Sequence, residues 1–259
     1  MREFLAQYMP PDYSAHGAEL DRLSANVHWL MLILFIGWGA LFVFMLFRFN
    51  AKRHPKAVYH GTKSHLSTYA EVGVFVIEVV LLVGFSIPLW ARWTRTPPPS
   101  QNPLEIRVVG EQFAWNVHYP GPDKIFGKTD IKLVSSSNPL GLDTNDPNAK
   151  DDLATLNQLH LEVNRPTIIS LTSKDVIHSF FLPVMRVKQD TIPGMLVPVH
   201  FTPIKVMPKG EQWEIACAQL CGLGHFRMKG MFYVHAKGDF EKWLRETQTF
   251  AASTASTSG

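Results

Sequence analysis

The chain has 259 residues, and its 25 lysines and arginines nearly balance its 22 aspartates and glutamates, giving a formal net charge of +3. This excess lies in residues 1–99, with nine basic and six acidic residues, because residues 100–259 contain sixteen of each. A C-terminal part with balanced charge does not match a polyanion, so nucleic acid is excluded as a partner. The length allows one large domain or two smaller ones.

Two apolar runs in the N-terminal part are long enough to cross a membrane. Residues 23–47 contain no Asp, Glu, Lys or Arg, and only Glu78 interrupts the apolar run 72–91. About 20 helical residues span a hydrocarbon core of roughly 30 Å. Two buried core helices are the alternative, but core helices of this length usually show a polar face. We therefore predict transmembrane helices over 27–47 and 68–93.

Charges around the two runs predict their orientation. The loop 48–67 contains five basic residues and no acidic one, whereas Arg92 and Arg95 follow the second run. The positive-inside rule places this loop in the cytoplasm. The N-terminal segment 1–26 and the chain after residue 93 then lie outside. The first 22 residues hold four acidic residues and no basic n-region, so we do not expect a cleaved signal peptide.

The sequence after residue 103 changes to short runs in which apolar and polar residues alternate. Pro and Gly separate these strand-like runs, which cover 104–109, 159–163, 167–171, 195–201, 212–216 and 231–235. Several short strands at this spacing predict an antiparallel sandwich or barrel, which we assign to 103–248.

Four other segments carry predictions. Residues 94–102 are rich in proline and predict a stiff linker. Residues 120–158 predict a long surface excursion with little regular structure. Residues 238–245 resemble a short helix capped by an aspartate. The low-complexity tail 249–259 is expected to be disordered.

The only two cysteines of the chain lie in a loop that indicates a metal site. Cys217, Cys221, His225 and Met228 place two thiols, an imidazole and a thioether within twelve residues. A disulfide is one alternative, but it leaves the histidine and the methionine unexplained. Structural zinc is another, although zinc rarely takes a thioether. Copper accepts all three ligand types.

The second cysteine distinguishes two kinds of copper site. A blue-copper site needs one cysteine, whereas two thiolates can bridge two copper ions, each with one histidine. His178, in the run 175–183, is the best candidate for the second histidine. The competing histidines in strand-like runs are His118, His160, His200 and His235.

The pattern C-x-x-x-C-x-x-x-H-x-x-M, with Asp175-Val-Ile-His178-Ser-Phe upstream, resembles the CuA domain of cytochrome c oxidase subunit II. The resemblance extends over nearly the whole chain. It implies an N-terminal transmembrane α-helical hairpin of two spans, followed by an all-β cupredoxin-like Greek-key sandwich. Residues 188–194 are similar to a family segment near the interface with subunit I.

The resemblance implies a binuclear copper centre with specific ligands. The side-chain ligands would be His178, Cys217, Cys221, His225 and Met228, and the backbone carbonyl ligand would fall on Gln219. Many family members have a glutamate at that position, which also joins a magnesium or manganese site shared with subunit I. Glutamine is a weaker ligand, so the resemblance does not carry that ion over to this chain.

Two further sites are implied by the resemblance. Residues 110–116 match the aromatic stretch where family members take up electrons from the donor, with Phe113 in place of the usual tryptophan and Trp115 retained. Ordinary core aromatics are the alternative for both rings. Glu71 aligns with a glutamate at the start of a proton-uptake path, and Glu78 lies about two turns further along the helix.

The function implied is that of subunit II of a proton-pumping cytochrome c oxidase in a bacterial plasma membrane, with the copper domain on the periplasmic side. Electrons from an external cytochrome c-type donor would pass to haem in subunit I, where haem groups and CuB reduce oxygen to water. Besides membrane lipid, the other oxidase subunits would be partners. The acidic residues Asp143, Asp146, Asp151 and Asp152 could form a patch that steers a basic donor.

Several related proteins are alternatives. Quinol oxidase subunits II generally lack the copper ligands, and nitrous oxide reductases need a large additional domain. The CuA subunit of a nitric oxide reductase, and a membrane-anchored copper- or zinc-binding protein without a redox partner, remain open.

Overall fold

The computed structural model describes residues 2–56, 59–60, 64–94, 102–135 and 138–256. The described residues divide into two compact units, one within 1–9 and 19–95 and the other within 10–18 and 96–259. The helices are α1 (Arg2–Ala6), α2 (Gly17–Arg48), α3 (Leu66–Leu81), α4 (Ile87–Thr94) and α5 (Lys237–Ser256). A π-helical segment, Leu82–Ser86, connects α3 to α4.

The first long helix begins well before the predicted span. Helix α2 starts at Gly17 rather than at residue 27, so the predicted external segment 1–26 includes its first turns as well as α1. The start has a local cause, because the Ser14 hydroxyl accepts a hydrogen bond from the Gly17 N–H at 3.0 Å. A serine in this position satisfies one of the free amides at a helix N-terminus.

The second long helix runs from Leu66 to Thr94 and contains the π-helical segment just before Pro88. A proline removes one helical hydrogen bond and clashes with the carbonyl four residues earlier. The wider π turn accommodates this clash, and the Ser86 hydroxyl donates to the Leu81 carbonyl at 3.2 Å.

Both long helices are suited to a membrane. Each contains an 18-residue window with a mean hydropathy of 2.5 or more, and no residue of either window is buried. Large apolar side chains exposed all round a helix exclude a soluble core helix and are typical of a helix that faces lipid or another membrane subunit. The predicted linker 94–102 falls largely on residues 95–101, which lie outside the described residues.

The second unit is a sandwich of two five-stranded sheets. Within the described residues, the first sheet has the order β3-β2-β1-β5-β8 and the second the order β4-β10-β9-β6-β7. The strands are β1 (Leu104–Glu111), β2 (Ala114–Tyr119), β3 (Leu153–Leu156), β4 (Gln158–Glu162), β5 (Thr167–Ser173), β6 (His178–Leu182), β7 (Val187–Thr191), β8 (Val197–Phe201), β9 (Trp213–Cys217) and β10 (Lys229–His235).

The sandwich encloses one apolar core between its sheets. Val108, Trp115 and Leu171 of the first sheet belong to the same buried cluster as Phe180 and Ile215 of the second. The alternating burial along β1 and β5 matches the period of two that the sequence shows. The predicted β-sandwich is confirmed.

The prediction of an antiparallel sheet arrangement is wrong for two strand pairs. β1 pairs with β5 in parallel, and β4 pairs with β10 in parallel. Alternation shows which face of a strand is buried, but it is the same in parallel and antiparallel pairs. The predicted series also omitted β2, β3, β6 and β7.

Two segments are more regular than predicted. The excursion 120–158 contains two short 3-10 turns and ends in β3 and the first residue of β4. Helix α5 continues to Ser256, through most of the tail that was expected to be disordered. No Gly or Pro lies between residues 238 and 259, so nothing in that stretch stops the helix.

Candidate metal centre

Two neighbouring strands of the second sheet bring the ligand segments together. His178 is the first residue of β6, and Cys217 is the last residue of β9. The two strands are antiparallel, with Phe180 opposite Cys217. The start of β6 and the end of β9 therefore lie at the same end of the sheet, where the loop of residues 218–228 leaves the sheet before β10 begins.

The sulfur and nitrogen atoms of this loop converge on Cys221. Its Sγ lies 3.8 Å from Cys217 Sγ, 3.5 Å from His225 Nδ1 and 3.7 Å from Met228 Sδ. The donor atoms of His178, Cys217 and Cys221 all lie within 4.8 Å of one another. The structure thus brings together all five predicted side-chain ligands.

The predicted carbonyl ligand also lies at the site. The carbonyl oxygen of Gln219 is 3.2 Å from Cys217 Sγ, while the Gln219 residue itself is exposed. The backbone oxygen of Gln219 is therefore placed beside the sulfur of one of the predicted ligands.

His178 presents a nitrogen that is ready to bind a metal. Its Nε2–H donates to the Asp175 carboxylate at 2.8 Å, so Nδ1 is the nitrogen left to bind a metal when the imidazole is neutral. Nδ1 is buried and has no hydrogen-bond partner among the residues that the structure describes. A buried polar atom without a partner is costly, and a metal ion would satisfy it. The residues present therefore fit a soft metal ion such as copper.

The two thiols have very different acidities in the metal-free protein. Burial alone would raise the pKa of the Cys217 thiol, but His178 and the backbone of Ser179 and Gln219 lower this pKa to about 6. Burial and repulsion from Cys217 raise the pKa of the Cys221 thiol to about 11. At neutral pH one thiolate and one thiol are therefore expected, and the second proton leaves when a cation binds.

The two predicted electron-uptake residues occupy different environments. Trp115 is completely buried and its ring meets the His178 ring edge-on, with 6.0 Å between centroids. Phe113 is half-buried and packs against Gly222 and Gly224 of the loop of residues 218–228, which we call the metal loop. Trp115 therefore packs behind a ligand and cannot itself touch a donor protein. The electron-uptake role of both residues stays a prediction.

The competing histidines lie away from the loop. His118 pairs with Asp152 at 2.6 Å, and His160 Nδ1 lies 2.8 Å from His235 Nε2. His200 is in β8 of the first sheet. Within the described residues, the group of His, Cys, Asp and Glu side chains placed to hold a metal is His178, Cys217 and Cys221.

The predicted acidic patch is wrong for two of its four members. The Asp152 carboxylate is fully buried, where it pairs with His118 and accepts the N–H groups of Gly121 and Gly127. Asp146 is buried and accepts the Lys128 N–H at 2.8 Å. These carboxylates hold the excursion together and do not present charge to a partner.

Two residues at the centre were missed as functional candidates. Asp175 was part of the quoted motif but received no role, although a carboxylate three residues before a ligand histidine is a usable signal. Gln112 lies far from the loop in sequence, and its side-chain nitrogen Nε2 is 2.5 Å from the Cys221 carbonyl oxygen.

The two predicted glutamates of the proton-uptake path lie elsewhere. Glu71 and Glu78 lie on α3, in the other compact unit, and both are exposed.

Comparisons with known proteins agree with this geometry. The family model described as cytochrome c oxidase subunit II, periplasmic domain, matches residues 104–233. An alternative cytochrome c oxidase subunit 2 from Bradyrhizobium diazoefficiens is 30% identical over 224 residues, covering 86% of this chain and 78% of the relative. A probable cytochrome c oxidase subunit 2 from Rickettsia bellii is 29% identical over 222 residues, covering 86% and 76%.

A solved structure is also similar. The crystal structure of the periplasmic domain of subunit II of cytochrome oxidase from Bradyrhizobium japonicum is 26% identical, with a TM-score of 0.42, and the match covers 60% of this chain and 98% of that chain. The range of the family match runs from the start of β1 into β10 and contains every predicted metal ligand. The family match, together with the two five-stranded sheets, confirms the predicted cupredoxin-like fold class.

Proposed function

We infer the function from the premise that this chain belongs to the cytochrome c oxidase subunit II family. We propose that it holds a binuclear copper centre of the CuA type. Through it the chain would take electrons from an external cytochrome c-type donor and pass them to haem in subunit I. Reduction of oxygen to water and proton pumping would take place in that larger subunit.

One observation carries the proposal. Cys217 Sγ and Cys221 Sγ lie 3.8 Å apart and within 4.8 Å of a ring nitrogen of His178. The Nδ1 of that ring is buried and has no hydrogen-bond partner among the described residues. A blue-copper or zinc site would not need both thiolates together with Met228. Two thiolates that can bridge and two imidazoles on separate segments favour two copper ions.

Each residue has a defined task in this proposal. Bound copper supplies reversible one-electron chemistry that the side chains of the chain lack. Cys217, Cys221, His178 and His225 would hold the ions through their sulfur and imidazole nitrogen atoms. Met228 and the Gln219 carbonyl would complete the ligand set. Asp175 would hold the proton of a neutral His178 on Nε2, away from the metal-binding nitrogen.

Burial would keep the centre dry and rigid. Cys221 and Met228 are 4% and 2% exposed, and His178 is completely buried, whereas His225 is only partly covered. Ligands fixed by a sheet and a short loop change little in geometry when the charge of the centre changes, which favours rapid electron transfer. The partly exposed His225 would be the side of the centre nearest to a partner.

The surface around the centre supports protein partners. Leu220, Leu223 and Phe226 are 77%, 99% and 85% exposed, all within the metal loop. Large apolar side chains grouped at the surface mark interaction sites. Subunit I and the donor are the partners proposed here, with the two helices anchoring the chain in a bacterial plasma membrane and the copper domain on the periplasmic side.

Copper loading of the detergent-solubilised full-length chain tests the proposal. We expect two copper ions per chain and a mixed-valence paramagnetic resonance spectrum with the unpaired electron shared between them. Cys221→Ser should abolish this signature and Met228→Leu should perturb it. Met195→Leu, which changes a half-exposed methionine outside the loop, is the matched control. One copper per chain with an ordinary blue-copper signal would contradict the proposal.

A further inference from the structure

The turn between β1 and β2 touches both segments that carry the metal ligands. It consists of Gln112 and Phe113, between the end of β1 at Glu111 and the start of β2 at Ala114. Neither residue is among the proposed copper ligands, and the turn belongs to the sheet opposite the one that carries those ligands.

Gln112 connects to the two ligand segments through separate groups. Its side-chain Nε2 donates to the Cys221 carbonyl at 2.5 Å. Its backbone N–H donates to Asp175 Oδ2 at 2.7 Å, and the other oxygen of the same carboxylate accepts from His178 Nε2 at 2.8 Å. One residue therefore fixes the carbonyl of one ligand and the carboxylate that orients another.

Phe113 packs against the two glycines of the metal loop. A Cβ at Gly224 would lie 2.4 Å from Phe113 Cδ2, and a Cβ at Gly222 would lie 3.2 Å from Phe113 Cζ. A separation of 2.4 Å is not tolerated between carbon atoms. Gly222 also has a φ of +133°, which side chains rarely adopt. The Phe113 ring can therefore pack directly against the loop only because residues 222 and 224 have no side chain.

We propose that Gln112 and Phe113 form a clamp that holds the metal loop in its ligand-binding conformation before copper arrives. Gln112 is a positioning residue, acting through Cys221 and through Asp175 on His178. Phe113 covers the loop and holds it in place. The inference rests on the proposed function only for the identity of the metal, because the contacts of the clamp exist in the metal-free chain.

Removal of the Gln112 donor tests the polar half of the clamp. Gln112→Met keeps the length of the side chain and introduces no charge. In the metal-free, reduced full-length chain, we expect amide hydrogen exchange in residues 217–228 to accelerate about 5-fold, the effect of one lost hydrogen bond. Copper affinity should fall on the order of 10- to 100-fold, as for other residues that orient metal ligands.

A matched control separates positioning from general destabilisation. Gln158→Met changes an exposed glutamine in β4, which carries no ligand, and should leave exchange and affinity unchanged. The copper hyperfine splitting and reduction potential should also shift in Gln112→Met while the thermal midpoint of the chain stays constant. Unchanged loop exchange, or an equal effect in the control, would overturn the clamp.

A double-mutant cycle tests the aromatic half. Gly224→Ala should accelerate loop exchange about 10-fold or more in the wild-type background, because the new methyl group displaces the Phe113 ring. In the F113A background the same substitution should have little effect, since the ring is gone. Additive effects of the two substitutions would overturn the packing role.

The two proposals can fail independently. Failure to bind two copper ions would contradict the proposed function, while loop exchange in the metal-free chain would still report on the clamp. Normal copper loading with unaltered loop exchange in Gln112→Met would overturn the clamp alone.

Discussion

Asp175 is the residue on which the orientation of a ligand depends. Its two carboxylate oxygens accept from His178 Nε2 and from the Gln112 backbone N–H. Burial alone would raise the pKa of this carboxyl, but these hydrogen bonds, with that from Val176, lower it. The sequence shows an aspartate three residues before the histidine; only the structure shows that both of its oxygens are used.

Asp175→Asn tests this orientation. The amide keeps the shape but loses the charge and one acceptor, so either His178 or Gln112 loses its partner. We expect copper affinity to fall on the order of 10-fold or more, together with a change in the histidine hyperfine coupling. Asp143→Asn, in the excursion, is the control. Equal affinity of wild type and Asp175→Asn, measured by competition with a chelator, would show that the carboxylate is not needed.

At the scale of elements, helix α5 docks on the second sheet through a stack of rings. Trp243 lies on the His160 ring with centroids 3.9 Å apart, and His160 Nδ1 is 2.8 Å from His235 Nε2. Tyr233 stacks on His160 from β10, and the Tyr119 hydroxyl accepts the His160 backbone N–H. These contacts join α5 to the parallel pair β4 and β10.

This stack makes stability depend on pH. Burial and then repulsion from His235 lower the pKa of His160 to about 3, and burial lowers that of His235 despite nearby Asp239. The folded pKa lies below the unfolded value of about 6.5, so the unfolded state binds the proton first. The contribution of His160 to the free energy of unfolding is therefore fully present above about pH 6.5. As the pH falls towards 3, the free energy of unfolding decreases by about 1.4 kcal/mol per pH unit because of His160.

His160→Phe keeps the ring but removes its titration. Between about pH 6.5 and pH 3, the decrease in the free energy of unfolding should become smaller by about 1.4 kcal/mol per pH unit. Guanidinium unfolding followed by near-UV circular dichroism measures this decrease. His65→Phe, at an exposed position before α3, is the control. Identical pH profiles for wild type and His160→Phe would contradict the assignment.

At the scale of the whole molecule, the chain combines a membrane unit with a β-sandwich unit. Glu71 and Glu78 lie two turns apart on α3, where most neighbouring side chains are exposed and apolar. A carboxylate in lipid is costly, so both residues are expected to face another subunit or water. The proposed proton-uptake role of Glu71 belongs to this scale because it needs the assembled oxidase.

Glu71→Gln in the assembled oxidase tests that role. Loss of an ionisable group at the start of a proton path should slow steady-state turnover about 10- to 100-fold, while reduction of the copper centre by the donor continues at its normal rate. Glu19→Gln, a carboxylate that pairs with Arg92, is the control. Unchanged turnover, or slower copper reduction, would count against a proton-path function.

The features that the sequence alone determined are those encoded in short stretches. Two uninterrupted apolar runs predict the long helices because a bilayer crossing needs only about 20 consecutive residues. The loop of residues 217–228 contains four of the five side-chain ligands within twelve residues. The alternating strands were sufficient to predict a sandwich or a barrel, because one face of each strand must be buried, and the family resemblance selected the sandwich.

The tertiary structure alone decided which distant segments meet. Alternation does not specify a strand's neighbour, so the parallel pairs and the contact of β6 with β9 that brings His178 to the cysteines could not be read from the pattern. The same holds for Gln112, which reaches Cys221 from the opposite sheet, and for Asp152, a charge that was expected to be exposed. Burial and hydrogen bonding depend on neighbours in space, and these are settled only when the two sheets pack.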